Sequence, residues 1–238
     1  MKGAGFAWIF GLLMVLLVVA VFAVGVVSHY NVQVSIITGA VEAYDTVNVG
    51  EFAKRSLDGA AFTSASTAVD ELLRDGGGYS RWTDDSPSMD ELNAKLSEEI
   101  TTKMNEPGFI GLTRREVTWG QASAVVTAHD DDYFRFIGNR HFTVENSIST
   151  PNMIMESEGA FGRRMNTSYF KLLRLGRAAV VCPASEGDST VEEFALSMKN
   201  VSTETENLYS VDVSDPTGPK LTFIFGCPSV QPAGLEGS

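Results

Sequence analysis

The sequence predicts an α+β protein: an N-terminal transmembrane helix continued as a helical stalk, then an antiparallel sheet with short helices. Three observations predict it. Phe6–Val27 is a run of 22 residues with no charge, no Pro and no polar group except the indole of Trp8. Apolar residues then recur at steps of three and four as far as Leu72. Beyond residue 115, β-branched and aromatic runs alternate with turn residues. The expected division is 1–5 as a short leader or tail, 6–27 as the membrane span, 28–78 as the stalk and 79–238 as the outer domain.

As a helix, Phe6–Val27 is roughly 33 Å long, enough to cross a hydrocarbon core. A cleaved secretory signal has a shorter apolar core, of about 7–15 residues. Lys2 is the only charge before the run, and no Lys or Arg follows until Lys54 and Arg55. The positive-inside bias therefore puts residues 1–5 in the cytoplasm and the remainder outside, as a single-pass protein of the cell membrane.

The stalk pattern is Val34, Ile37, Val41 and Tyr44, then Phe62, Ala65, Val69 and Leu72. No Pro occurs in the first 86 residues, so the helix is expected to continue to about Leu73, unbroken or with a bend near Gly50 or Gly59. Gly76-Gly77-Gly78 after Asp75 supplies the stop. The outer part of the stripe is expected to pack on the protein's own sheet. Val34, Ile37, Val41 and Tyr44 lie too close to the membrane for that, and are expected to self-associate or to meet another subunit.

Ser88-x-x-Glu91 reads as a capping box opening a short amphipathic helix with Leu92, Leu96, Ile100 and Met104 on one face. Pro107-Gly108 stops it. Strands are expected at Arg115–Trp119, Ser123–His129, Tyr133–Ile137 and Arg140–Ile148, with Gly138-Asn139 as a hairpin turn. Gly159, Gly162, Arg163 and Arg164 suggest a loop, and Thr167–Leu175 a short helix. Ser189-x-x-Glu192 resembles a second capping box, predicting a helix to Met198. Leu208–Val213 and Lys220–Gly226 flank a turn-rich linker and form a predicted hairpin. The tail from Pro228 is expected to fray.

The net charge is −12. An acidic chain of this kind argues against nucleic acid and against adsorption to anionic lipid. Cys182 and Cys227 each end an apolar run and precede Pro. Outside the cytoplasm such a pair is a candidate disulfide, with two buried free thiols as the alternative. Asn166-Thr167-Ser168 and Asn200-Val201-Ser202 match the N-glycosylation sequon, so Asn166 and Asn200 are candidate acceptors.

No residue stands out as catalytic, cofactor-binding or metal-ligating. G-x-S-x-G, H-E-x-x-H and P-loop patterns do not occur. His129-Asp130-Asp131-Asp132 reads as a solvated turn between strands, because a hard-ion site needs several convergent oxygens on a shaped loop. His29 sits at the membrane edge and His141 on the polar face of a strand. Glu156 and Glu158 share a strand face, as many surface carboxylates do. No enzymatic activity and no cofactor are expected.

The amino terminus resembles type IV pilins and their pseudopilin relatives. The likeness rests on a short basic leader, Met1-Lys2-Gly3-Ala4-Gly5, followed by Phe6 and a hydrophobic helix. It implies cleavage between Gly5 and Phe6. Phe10 stands where most members carry a Glu, at the fifth position after the cut. The expected role is a membrane-anchored structural or assembly protein, with a pilin-like filament subunit as the specific form. The rivals are a tethered module that binds a ligand or partner protein and, behind it, a membrane-anchored enzyme.

Overall fold

The computed structural model describes residues 4–82, 86–106, 117–146, 153–182, 184–216 and 218–227. Met1–Gly3, Asp84, Asp85, Pro107, Gly108, Arg115, Ile148 and the tail from Pro228 lie outside the described residues. A long apolar N-terminal helix is followed by antiparallel sheets and two shorter helices, an α+β arrangement.

Helix α1 runs from Ala4 to Arg74 without interruption, 71 residues and about 106 Å. Neither Gly50 nor Gly59 ends it, so of the two alternatives the unbroken helix is the one observed. It stops where predicted. Gly76, Gly77 and Gly78 all take positive φ, and the Gly77 N–H donates to the Leu72 carbonyl at 2.7 Å. That geometry turns the chain back and satisfies a carbonyl of the last turn. Trp82, fully buried, then donates from Nε1 to the Gly76 carbonyl and stacks on Phe223 at 4.2 Å.

Helix α2 (Met89–Asn105) begins with the expected capping box, Ser88 and Glu91 each satisfying the other's backbone N–H. Leu92, Leu96, Ile100 and Met104 are buried, as their i, i+4 spacing requires. The first sheet is a meander of three 14-residue strands: β1 (Val117–Asp130), β2 (Tyr133–Asn146) and β3 (Met153–Asn166). Helix α3 (Tyr169–Ala179) leads to a second antiparallel sheet of β4 (Gly187–Val191), β5 (Phe194–Asn200), β6 (Asn207–Ser214) and β7 (Lys220–Cys227). The predicted hairpin of residues 208–226 is the β6–β7 pair.

Four local expectations are corrected. The two strands expected before residue 130 are one strand, β1, with a register shift between Trp119 and Ala122. Gly138-Asn139 is not a turn. It lies within β2, and the chain reverses at Asp131-Asp132 instead. Gly138 is small because a Cβ there would meet the Ser123 carbonyl and the Phe161 ring. The segment expected as a loop around Gly159 and Gly162 is strand β3, whose glycines make room for neighbours. Ser189-x-x-Glu192 opens no helix. Residues 187–200 form the β4–β5 hairpin, with Glu192 and Glu193 at φ 48° and 74° as its two-residue turn. A left-handed pair is what a tight hairpin needs, and the side chains of a cap-like motif do not forbid it. Arg174 holds the Glu192 carboxylate at 3.0 Å and Asp131 at 2.9 Å.

The core lies where α1, α2 and α3 meet both sheets. Its largest buried side chains include Trp82, Phe134, Phe136, Tyr169, Phe170 and Phe225. Burial holds the Tyr169 phenol well above its usual pKa.

Candidate functional site

Helix α1 has two halves with different neighbours. From Trp8 to Thr38 every residue is exposed, and cover from the rest of the chain begins at Glu42. Beyond that point the covered face reads Thr46, Val49, Ala53, Leu57, Ala61, Ser64, Ala65, Ala68 and Leu72. Steps of three and four keep these residues on one side, and their small size lets the helix lie close to the sheet.

The contact with β3 is notched on both sides. A Cβ on Gly50 would fall into the Met155 side chain, and one on Gly159 would come within 2.7 Å of Leu57 Cδ2. Further along, the Arg163 guanidinium lies 4.8 Å from the centre of the Phe62 ring. Phe62 is thus half covered by the protein's own sheet, as expected, although 43% of it stays exposed.

The predicted self-association residues are all bare. Val34 is 43% exposed, Ile37 63%, Val41 62% and Tyr44 72%. They share this region with Ile36 and Val47, also exposed. Ala4–Val41 contains no Asp, Glu, Lys or Arg. Its 38 residues span about 57 Å, whereas a bilayer including its headgroup regions is about 40–45 Å thick. The uncharged helix is therefore roughly two to three turns longer than such a bilayer is thick.

The open edge of β1 is closed by a polar ladder on α2. The Ser97 hydroxyl accepts from the Val126 N–H at 3.0 Å. Thr101 Oγ1 accepts from Ala124 N–H at 3.0 Å, and Asn105 Oδ1 from Ala122 N–H at 2.8 Å. Four residues of helix rise about 6 Å and two residues of strand about 6.6 Å, so the two repeats stay in step. This ladder is not among the features expected from the sequence. Its signal is present: each of Ser97, Thr101 and Asn105 directly follows a residue of the buried stripe. The end of α2 is tied to α1 by Lys103, whose pKa is raised by hydrogen bonds to Glu106 and Glu71.

The cysteine sulfurs sit at disulfide distance, with Cα atoms 5.7 Å apart, joining the segment after α3 to the end of β7. Asn166 and Asn200 are both exposed at strand ends, and Asn200 Oδ1 accepts from the Ser202 N–H at 2.8 Å. Gly5 and Phe6 lie in the first turns of α1. His129 stacks on Phe170 at 4.1 Å beside the Asp131-Asp132 turn, and His141 stands exposed on β2 opposite Glu158. Arg140 is buried against Trp119 and donates to the carbonyls of Gly120 and Met104. Desolvation lowers its pKa. Among the described residues no group of three or more His, Cys, Asp or Glu is placed to hold a metal ion.

Comparison with protein-family models, with curated proteins and with solved structures found no match.

Proposed function

We propose that the chain is a single-pass membrane protein whose outer domain is carried on a helical stalk and whose role is structural: it assembles with other protein subunits through α1. One observation carries this reading. The uncharged, exposed part of α1 is longer than a bilayer is thick, and the cover from the outer domain begins only at Glu42. Full burial of a side chain such as Ile37 or Val41 is worth roughly 1.5–3 kcal/mol, so a bare stripe of them favours a protein neighbour. Lys2 on one side of the span, with no Lys or Arg between Val27 and Lys54 on the other, favours an outward-facing domain.

The specific form we favour is a pilin-like filament subunit, cut between Gly5 and Phe6. A long apolar helix with an antiparallel sheet at its outer end supports that form. The test combines topology with processing. Protease added to intact cells should remove the domain beyond residue 28, and the mature protein from its native membrane should begin at Phe6. A domain protected until the membrane is permeabilised overturns the orientation. An intact leader overturns the pilin-like form.

A further inference from the structure

The outward face of the three-stranded sheet carries two arginines toward one end and two glutamates toward the other, with Asp130 at the β1 edge of the arginine end. Arg135 and Arg164 stand directly opposite each other on β2 and β3, both exposed. Like charges in that position repel, and no described carboxylate lies within ion-pair distance of either, in a chain with 30 acidic residues. The Arg164 guanidinium is held over the Tyr133 ring at 3.8 Å. At the other end of the same face stand Glu156 and Glu158, also exposed. Glu158 is oriented by Asn139, which in turn accepts from Ser123. Between the two ends the face is flat and uncharged: Val125, Ile137 and Gly162 form one cross-strand row, and Asn139 and Ala160 lie in the next. Val125 and Ile137 are 57% and 52% exposed.

We infer that this face binds the same face of a second copy in antiparallel orientation. A two-fold axis lying across the strands near Phe161 places Arg164 over Glu158 of the second copy, and Glu158 under the second copy's Arg164; it sets Arg135 over His141, beside Glu158, and Glu156 over Asn166, so Arg164 with Glu158 is the direct charge pair. That is the reciprocity an isologous contact requires. Gly162 then meets Ala160, so nothing larger than a methyl group keeps those stretches of strand apart. Sheets pack at about 10 Å under such conditions. A two-fold axis along the strands sets arginine against arginine, which the charges reject.

The charge-matched rotation fixes where the second copy comes from. Contacts between α1 and β3 climb together, from Gly50 with Met155 to Leu57 with Gly159 to Phe62 with Arg163. The arginine end is therefore the end away from the anchor. Reversing the sheet reverses α1 too, so the two anchors point in opposite directions and the second copy belongs to a facing membrane. This step rests on the membrane reading above. Three strands of this length offer on the order of 600 Å² per copy, less than the ~800 Å² of a standard interface. One contact is weak, and many copies on two apposed membranes supply the avidity.

The test uses the full chain in two vesicle populations, with flotation to report anchoring and light scattering to report clustering. Wild-type vesicles should cluster, and added salt should weaken the effect. R135E/R164E vesicles alone should not cluster, nor should E156R/E158R vesicles alone, and mixing the two should restore clustering. The single changes R164E and E158R should show the same pattern with smaller loss. Vesicles that float with wild-type protein but do not cluster overturn the inference and leave the anchor standing. So does clustering that survives arginine reversal, or a mixture that stays dispersed. If the protein does not float, the membrane reading fails, and sedimentation of the same charge-reversed pairs, separately and mixed, still decides the pairing.

Discussion

Leu57 of α1 fills the space left by Gly159 of β3: a Cβ on that glycine would stand 2.7 Å from Leu57 Cδ2. Leu57 is fully buried, so the leucine cannot swing into solvent. Gly159→Val should destabilise the outer domain by about 1–3 kcal/mol through overpacking. Leu57→Ala should cost about 2–5 kcal/mol through the cavity it leaves. The double variant should lose less than the sum, because each change relieves the other. Thermal melts of the four proteins in one detergent measure this, and strict additivity would contradict the contact.

The α2 ladder gives a second prediction. Thr101→Val keeps shape but removes the oxygen that accepts from the Ala124 N–H. Leaving that half-buried donor unpaired should cost about 1–3 kcal/mol. Hydrogen exchange at Ala124 should speed up, while exchange inside β6 stays unchanged. Equal acceleration in both sheets would mean that the whole domain, rather than the β1 edge, has loosened.

The cysteine pair gives a third. A bond between Cys182 and Cys227 closes a sequence separation of 45 residues. It should contribute roughly 2–4 kcal/mol, mainly by restricting the unfolded chain. Unreduced mass spectrometry of protein from its native compartment should find the linked peptides, and C182A/C227A should melt lower. Two freely alkylated thiols would remove the bridge.

Acid stability follows from two exposed carboxylates. The Ser88 backbone N–H, followed by its hydroxyl, holds Glu91 below the usual carboxylate range, and the Arg174 guanidinium does the same for Glu192. A carboxylate whose pKa is depressed in the folded protein binds protons more readily when unfolded. Its contribution is therefore complete above the ordinary value of 4.5 and fades as pH falls through the lower folded value. Glu91→Gln and Glu192→Gln should each lower the melting temperature at neutral pH and flatten its decline below pH 4.5. A decline as steep as that of the wild type would show that other groups set the acid limit.

Much of the fold was legible because its signals are local. The apolar run, the capping box at Ser88 and the glycine stop after Asp75 each need only a few neighbouring residues to be read. The errors share one cause. Gly138 carries a turn signal and Gly159 and Gly162 a loop signal, but they are places where another strand or helix of the same chain comes close. Ser189 and Glu192 fit a cap at the right spacing, yet Arg174 and the neighbouring strands put them in a hairpin. Val34, Ile37, Val41 and Tyr44 were set apart by their nearness to the apolar run, and the structure leaves them bare, since cover from the outer domain begins at Glu42. The charged outer face was not legible, since Arg135 and Arg164 become neighbours only through the β2–β3 register.

The central claim is that the bare segment of α1 just outside the membrane is a subunit contact. Ile37→Asp with Val41→Asp puts two charges into that stripe, outside the region the outer domain covers. The decisive measurement is the assembly state of this double variant beside the wild type, by sedimentation in mild detergent at salt high enough to weaken the charge-matched sheet contact. The account predicts assembled wild type, a double variant reduced to monomers, and equal melting of the outer domain in both. A wild-type protein that is a lone monomer, or a double variant that assembles like wild type, would contradict it and make the stalk a spacer.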